Sequence, residues 1–79
     1  MQSYRDVRKM MIQNAKDFGE AVRKYRKKQG LTQIQLSAMS SVSPRFIGEL
    51  ERGKPTIELE KALSVAWMLG LNLNTRDEE

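Results

Sequence analysis

Residues 31–54 read LTQIQLSAMSSVSPRFIGELERGK, and the run SSVSP at positions 40–44 separates two short stretches with helical character. Serine competes for backbone hydrogen bonds inside a helix, and proline lacks the N–H that a helix interior requires. A single long amphipathic helix would therefore not tolerate this run. The stretch predicts two short helices joined by a turn of a few residues, which is the layout of a helix-turn-helix.

Capping residues on both sides of the turn predict where these two helices begin. Thr32 is followed three positions later by Gln35, so each side chain can accept a hydrogen bond from the other residue's backbone N–H. Ser43 can cap the next helix, with Pro44 at its first position, where the missing N–H costs nothing. We expect Gly53 to end that helix.

Two further helices are predicted on either side of this pair. The first is capped by Asn14 and ended by Gly30, and the last is capped by Thr56 and ended by Gly70. Residues that recur at helical spacing in the four segments are expected to face the core. They are Phe18, Ala21, Val22, Tyr25, Gln29, Leu36, Met39, Ile47, Leu50, Leu59, Ala62, Leu63, Ala66 and Leu69.

Length and composition narrow the classes of function. A chain of 79 residues forms one small domain with a modest core, so a deep substrate cleft is not expected. The sequence has no Cys and no His, which removes thiolate nucleophiles, disulfides and the usual zinc sites. We therefore expect no enzyme activity, no catalytic residue, no metal and no cofactor. Without a membrane-spanning run or a signal peptide, we expect a cytoplasmic protein.

Charge is distributed unevenly along the chain. Residues 1–30 hold nine Lys and Arg against three acids, a net +6, whereas residues 31–79 hold five against seven, a net −2. The basic part includes RKYRKK at positions 23–28, which would suit neutralisation of phosphates. A solvated helix face with no binding role is the alternative interpretation of such a charge run.

The helix after the turn has an outward face that fits base recognition. At about 100° per residue, Arg45, Gly48, Glu49 and Arg52 lie opposite the apolar positions of that helix. Arg45 is the best candidate for a bidentate contact with guanine, and Glu49 could accept from cytosine or hold the arginine in position. An ordinary exposed salt bridge between Arg45 and Glu49 is the alternative.

Residues 30–54, GLTQIQLSAMSSVSPRFIGELERGK, are similar to the helix-turn-helix of the Cro/repressor-like (XRE) family. The matching positions are Gly30, Leu31, Thr32, Gln33, Leu36, Val42, Ser43, Ile47, Glu51, Gly53 and Lys54. The resemblance implies an all-α fold, a compact four- to five-helix lambda-repressor-like domain over residues 15–70, preceded by an N-terminal extension at 1–14. The family's turn glycine is replaced by Ser41, which is predicted to adopt a positive φ at some energetic cost.

The resemblance also implies roles for individual residues. Gln33 would bond a phosphate at a helix N-terminus, Lys54 would contact another phosphate, and Phe46 would touch a thymine methyl or serve at the edge of the core. A structural salt bridge is implied between Arg26 and Glu51. The predicted DNA-binding residues are Thr32, Gln33, Ser43, Pro44, Arg45, Phe46, Glu49, Arg52 and Lys54.

The end of the chain suggests a narrower resemblance. Residues 71–79 read LNLNTRDEE, in which Leu71 and Leu73 alternate with asparagines as in a short strand, followed by an acidic tail. A strand needs a partner, which its symmetry mate in a homodimer could supply. This ending looks like HipB-type antitoxins, and the predicted dimerisation residues are Trp67, Met68, Leu71 and Leu73. A frayed terminus is the alternative.

The resemblance implies a homodimeric transcriptional repressor that binds a palindromic operator in double-stranded DNA. The more specific expectation is an antitoxin that autoregulates its operon and binds a HipA-like serine/threonine kinase toxin. A phage-type or stand-alone XRE regulator is the nearest alternative. A protein-interaction adaptor without DNA binding is a further one.

Overall fold

A computed structural model describes residues 12–71 and contains four α-helices within that range. They are α1 (Ala15–Lys28), α2 (Gln33–Ser40), α3 (Pro44–Glu51) and α4 (Leu59–Leu69). The prediction of an all-helical domain is confirmed over these residues, which include no strand. Most of the predicted N-terminal extension and, apart from Leu71, the predicted strand and acidic tail lie outside the described residues. None of the four helices described is long and apolar enough to cross a membrane.

The capping residues of the first three helices act as predicted. The Asn14 side chain accepts a hydrogen bond of 2.8 Å from the backbone N–H three residues later. Thr32 and Gln35 bond each other's backbone N–H reciprocally at 2.8 and 3.0 Å. Ser43 accepts from the backbone N–H of Phe46, the third residue of α3, at 3.0 Å. These bonds satisfy donors that a helix start leaves without an intrahelical partner.

The start of α4 was predicted wrongly. Thr56 does not cap it, because Pro55 and Thr56 form a turn and the Ile57 side chain packs against the core before the helix begins. The helix begins only at Leu59, and the side chain of its N-cap residue Glu58 makes no capping hydrogen bond. The partial burial of Ile57 thus delays the helix by two residues relative to the sequence signal.

The core draws on all four helices and extends one residue beyond α4. Its buried apolar residues are Val22, Leu36, Ile47, Leu50, Ala62, Val65, Ala66, Leu69 and Leu71. The prediction that Leu59 and Leu63 face this core is wrong, because both are exposed and Val65 is fully buried instead. Positions 62, 65, 66 and 69 form the inner stripe of α4 at i, i+3, i+4 and i+7.

Met39 was also predicted to face inward and is exposed. The inner face of α2 is formed by Leu36 with the small residues Ser37 and Ser40. The Ser37 hydroxyl is satisfied there, since it donates to the carbonyl of Ile34 at 2.7 Å. Two serines in the buried face bring α2 close to its neighbours and leave the long Met39 side chain on the outside.

The turn between α2 and α3 keeps the conformation that the family's glycine would adopt. Ser41 has φ 59 and ψ 40, a left-handed conformation, as predicted. The backbone N–H groups of Ser41 and Val42 both donate to the carbonyl of Ser37, which closes the end of α2. The turn is therefore formed despite the cost of a side chain at positive φ.

Leu71 belongs to the core rather than to a dimer interface, which corrects its predicted role. Gly70 ends α4 at φ 75, and the N–H of Leu71 donates to the carbonyl of Ala66 at 2.9 Å. This reversal directs the Leu71 side chain back into the domain, where it is buried. Leu73, predicted to act with it, lies outside the described residues.

Candidate nucleic-acid interface

Helix α3 is held on one side by the core and presents the other side to solvent. Ile47 and Leu50 are buried, whereas the side chain of Arg45 is 85% exposed and Arg52 is also exposed. The prediction that both arginines are exposed on the outward face of α3 is therefore confirmed. Pro44 and Ser43 are exposed at the start of the helix, beside Arg45.

Glu49 lies between two cations on this outward side. Its Oε2 accepts a hydrogen bond of 3.2 Å from Arg45 Nε, and its Oε1 accepts one of 3.3 Å from Lys54 Nζ. The bond from Lys54 is the main cause that holds the pKa of the Glu49 carboxyl below its usual value; partial burial opposes it, and the charge of Lys54 and the bond from Arg45 add to it. The carboxylate of Glu49 is therefore ionised at neutral pH.

Gly48 was predicted to be exposed on the outward face of α3, and this is wrong. It is buried, and a Cβ at this position would come within 3.3 Å of a guanidinium nitrogen of Arg52. The long arginine side chain therefore folds back over the glycine. No carboxylate in residues 12–71 forms a salt bridge with Arg52, so its charge remains available on this surface.

Phe46 takes the edge position that was the alternative to a base contact. It is partly buried and packs against the core cluster. The ammonium group of Lys61 lies 6.0 Å from the centre of its ring, a distance at which a cation–π attraction is weak.

The start of α2 combines exposed polar groups with an anchored side chain. Thr32 is exposed, and the side chain of Gln33 donates from Nε2 to Oε1 of Glu51 at 3.0 Å. The second N–H of that amide is left for another acceptor, because Nε2 carries two hydrogens. A phosphate at this helix start would also meet the positive end of the helix dipole.

A buried ion pair ties α1 to the end of α3. Arg26 donates from Nε and Nη2 to the two carboxylate oxygens of Glu51, at 2.6 and 3.0 Å, and from Nη1 to the carbonyl of Leu31 at 2.8 Å. The two side chains are 10% and 4% exposed. The hydrogen bond with Glu51 raises the pKa of Arg26 above its usual value, against the effect of burial. Three N–H groups of the Arg26 guanidinium are thus bonded within the domain.

The basic cluster at positions 23–28 is smaller than the sequence suggests. Arg26 is withdrawn into the ion pair with Glu51 and offers no charge to a ligand. The remaining cations are exposed, and one of them, Lys28, lies over the ring of Tyr25 at 5.8 Å. They are Arg23, Lys24, Lys27 and Lys28.

Two further features could not be located from sequence spacing. One is the hydrogen bond from Gln33 to Glu51, which depends on how α2 packs against α3. Another is the bond from Lys54 to Glu49, which depends on the path of the loop after α3. The outer face of α4 also carries more apolar surface than predicted: the exposed Leu59, Leu63 and Trp67 follow each other at i, i+4 and i+8.

Comparison with known proteins agrees with this architecture. A family model described as "Helix-turn-helix" matches residues 22–74. A curated protein of Sinorhizobium fredii (strain NBRC 101917 / NGR234), "Uncharacterized HTH-type transcriptional regulator y4mF", is 41% identical over 63 residues, which cover 80% of this chain and 83% of that protein. No solved structure matches the chain. The chain belongs to the XRE-type helix-turn-helix family.

Proposed function

We propose that this chain is a DNA-binding transcriptional regulator, without enzyme activity or cofactor, that places α3 in the major groove. The observation that carries the proposal is the outward face of α3, where Arg45 and Arg52 are both exposed on a helix held by the buried Ile47 and Leu50. A rigid helix with exposed arginines fits the major groove and its guanine acceptors. The relative in Sinorhizobium fredii carries the name of a transcriptional regulator, which supports the same function.

The proposed contacts fall into two groups. Arg45, near the start of α3, reads guanine through its terminal nitrogens, with Ser43 and Pro44 beside it at the helix start. Gln33 and Lys54 bond phosphates on either side and so set the register of the helix on the duplex. The remaining proposed contacts, Thr32, Phe46 and Arg52, border these groups and are secondary to them. A protein with this role acts where the DNA is, in agreement with the cytoplasmic location that the sequence predicts.

Substitution of Arg45 by alanine tests base reading. We expect specific binding to weaken by about 1 to 3 kcal/mol per half-site and the preference at one base pair to be lost, because a bidentate contact disappears. Operator sequences selected from a random DNA pool, followed by binding curves on single-base variants, measure this. An unchanged preference at every position in Arg45→Ala would contradict base reading by this residue.

Lys54→Ala is the matched comparison for the arginine variant. It removes one positive charge from the same surface, so it should weaken all sequences alike and lower the slope of log K against log salt by about one. Arg45→Ala differs because it changes the order of preference among sequences. A protein that shows no salt-dependent DNA binding at all would instead support an interaction adaptor.

The regulator is further proposed to act as a homodimer on a palindromic operator. One helix-turn-helix reads few base pairs, and two-fold symmetry is the usual way to extend the site. The proposed contact is the α4 stripe, defined as Leu59, Leu63 and Trp67, of which Trp67 is 82% exposed. In a two-fold contact the same patch meets itself, so an apolar stripe is complementary to its own copy. Met68 lies about 100° further round the helix and stays peripheral.

Replacement of Trp67 by glutamate tests this contact. The side chain is almost free of contacts within the domain, so helical circular dichroism should be retained while the dimer dissociates at micromolar concentration. Sedimentation measures the dissociation, and operator binding should weaken with it. Met68→Glu is the control with the same added charge on α4. If Trp67→Glu sediments as the native protein does, the two subunits meet elsewhere.

The most specific form of the proposal is that the regulator represses its own operon as an antitoxin and binds a HipA-like kinase. Its support is the resemblance of residues 57–74, IELEKALSVAWMLGLNLN, to HipB-type antitoxins. A gene for such a kinase beside this one, together with co-purification of the two proteins, would establish the role. Operator binding by a chain whose gene has no kinase neighbour would make it a stand-alone or phage-type regulator.

A further inference from the structure

We infer that Glu49 is a positioning residue that sets the specificity of DNA binding by holding Arg45 and Lys54 at once, rather than a residue that contacts a base. This inference rests on the proposed function, since it assigns Glu49 a role within the same DNA-binding surface. One carboxylate would orient the arginine that reads bases and restrain the lysine that meets a phosphate.

The bond to Arg45 determines which part of the guanidinium faces outward. Glu49 accepts from Nε, at 3.2 Å, and no carboxylate within residues 12–71 pairs with the two terminal nitrogens of Arg45. These two nitrogens form the edge that matches O6 and N7 of guanine. The arginine side chain is 85% exposed, and without Glu49 it would sample many rotamers and lose that freedom on binding. Because Glu49 already restrains the side chain in the free protein, Arg45 loses less conformational entropy when it binds DNA.

The bond to Lys54 explains why Glu49 itself is a poor reader of bases. With Lys54 on Oε1 and Arg45 on Oε2, each carboxylate oxygen already accepts a charged hydrogen bond. The Glu49 side chain is only 21% exposed and lines a small cleft together with Lys54. The cleft is lined by Phe46, Glu49, Lys54, Thr56, Ile57 and Glu58.

The same arrangement acts against non-specific binding. On an arbitrary sequence, the edge of Arg45 that faces the bases meets no matching acceptor, and turning the side chain to a phosphate breaks its bond to Glu49 and leaves Oε2 unpaired beside the negatively charged duplex. On the correct sequence, Arg45 reaches guanine while its Nε stays on Glu49. The energetic cost of an unpaired carboxylate therefore applies mainly to incorrect DNA sequences, and such a repulsive element increases specificity.

Glu49→Gln tests the inference, because it keeps the size of the side chain and removes its charge. We expect binding to non-specific DNA to strengthen by about threefold to tenfold and the slope of log K against log salt to steepen by about one. Specific binding should gain less, so the ratio of specific to non-specific affinity should fall. Circular dichroism confirms that the variant is folded.

Glu58→Gln is the matched control, since Glu58 lines the same cleft and pairs with Lys61 at 3.3 Å but forms no salt bridge with Arg45 or Lys54. It makes the same change in net charge and should leave the specificity ratio at the native value. An equal loss of the ratio in both variants would show that overall charge, not the position of Glu49, is responsible, and would overturn the inference.

The double variant Arg45→Ala/Glu49→Gln separates positioning from base reading. If Glu49 acts through Arg45, Glu49→Gln should cause no further change in base preference once Arg45 is absent. A new change of preference at one base pair in that background would mean that Glu49 reads a base, and the inference fails. If the native protein itself shows no sequence preference, the proposed function fails first, which is a distinct result.

Discussion

Replacing Glu51 by alanine should lower the free energy of unfolding by about 3 to 5 kcal/mol, because the change leaves the guanidinium of Arg26 buried without its counter-charge. Both hydrogen bonds of the pair, at 2.6 and 3.0 Å, are lost together. Glu51 also accepts from Gln33, so the first turn of α2 loses its anchor to α3. Urea or thermal denaturation followed by far-UV circular dichroism measures the loss. A small domain of ordinary stability would be left barely folded.

The control for this change is Glu58→Ala. Glu58 is largely exposed and forms a salt bridge with Lys61 at 3.3 Å, so its removal should cost less than about 1 kcal/mol. The double variant Arg26→Met/Glu51→Leu replaces both charges with apolar side chains and should be more stable than Glu51→Ala, since no unpaired charge is left. A loss in Glu51→Ala no greater than that of Glu58→Ala would mean that the pair contributes little.

Capping residues in the sequence were sufficient to predict most of the helix boundaries. Thr32, Gln35 and Ser43 act on backbone groups within three residues, so their caps depend little on the rest of the fold. The left-handed turn at Ser41 is likewise determined by the closure of α2. Where a tertiary contact competes with a local signal, prediction failed: Ile57 packs against the core, and α4 begins after Thr56.

The orientation of α4 was harder to predict because it carries apolar residues on more than one side. Leu59 and Leu63 suggested one inner stripe, whereas the smaller Ala62 and Ala66, with Val65, form the one that is buried. Small side chains allow α4 to approach the other helices closely, which helical periodicity does not reveal. The large residues are therefore left outside, where the proposed dimer contact lies.

The candidate site was predicted residue by residue more successfully than as a set of contacts. Helical geometry alone placed Arg45 and Glu49 on one exposed side of α3, where they form an i, i+4 pair. Geometry could not show that Lys54, in the loop beyond α3, reaches the same carboxylate. It also placed Gly48 on the open face, because the fold-back of Arg52 depends on side-chain packing. Their roles in DNA binding remain predictions.

The close approach of α1 to the end of α3 was not recognised from the sequence, and it leads to the second large prediction. Gly19 is buried, and a Cβ there would collide with the backbone carbonyl oxygen of Leu50 and come within 2.8 Å of that of Glu51. Both oxygens belong to a helix backbone that cannot move without shifting α3. Gly19→Ala should therefore lower the free energy of unfolding by about 3 kcal/mol, the upper range for overpacking.

Gly48→Ala makes the same chemical change in another helix and should have the opposite sign. The neighbour of its new methyl group, at 3.3 Å, is the end of the flexible Arg52 side chain, which can swing away. Alanine is favoured over glycine in a helix interior by about 1 kcal/mol, so a gain of about 0.5 to 1 kcal/mol is expected. Chemical denaturation of the two variants side by side compares them. Helix propensity favours both changes equally, so the difference in stability between the two variants reports mainly the steric conflict between α1 and α3 at Gly19. Equal stability of the two variants would mean that these helices are not in close contact there.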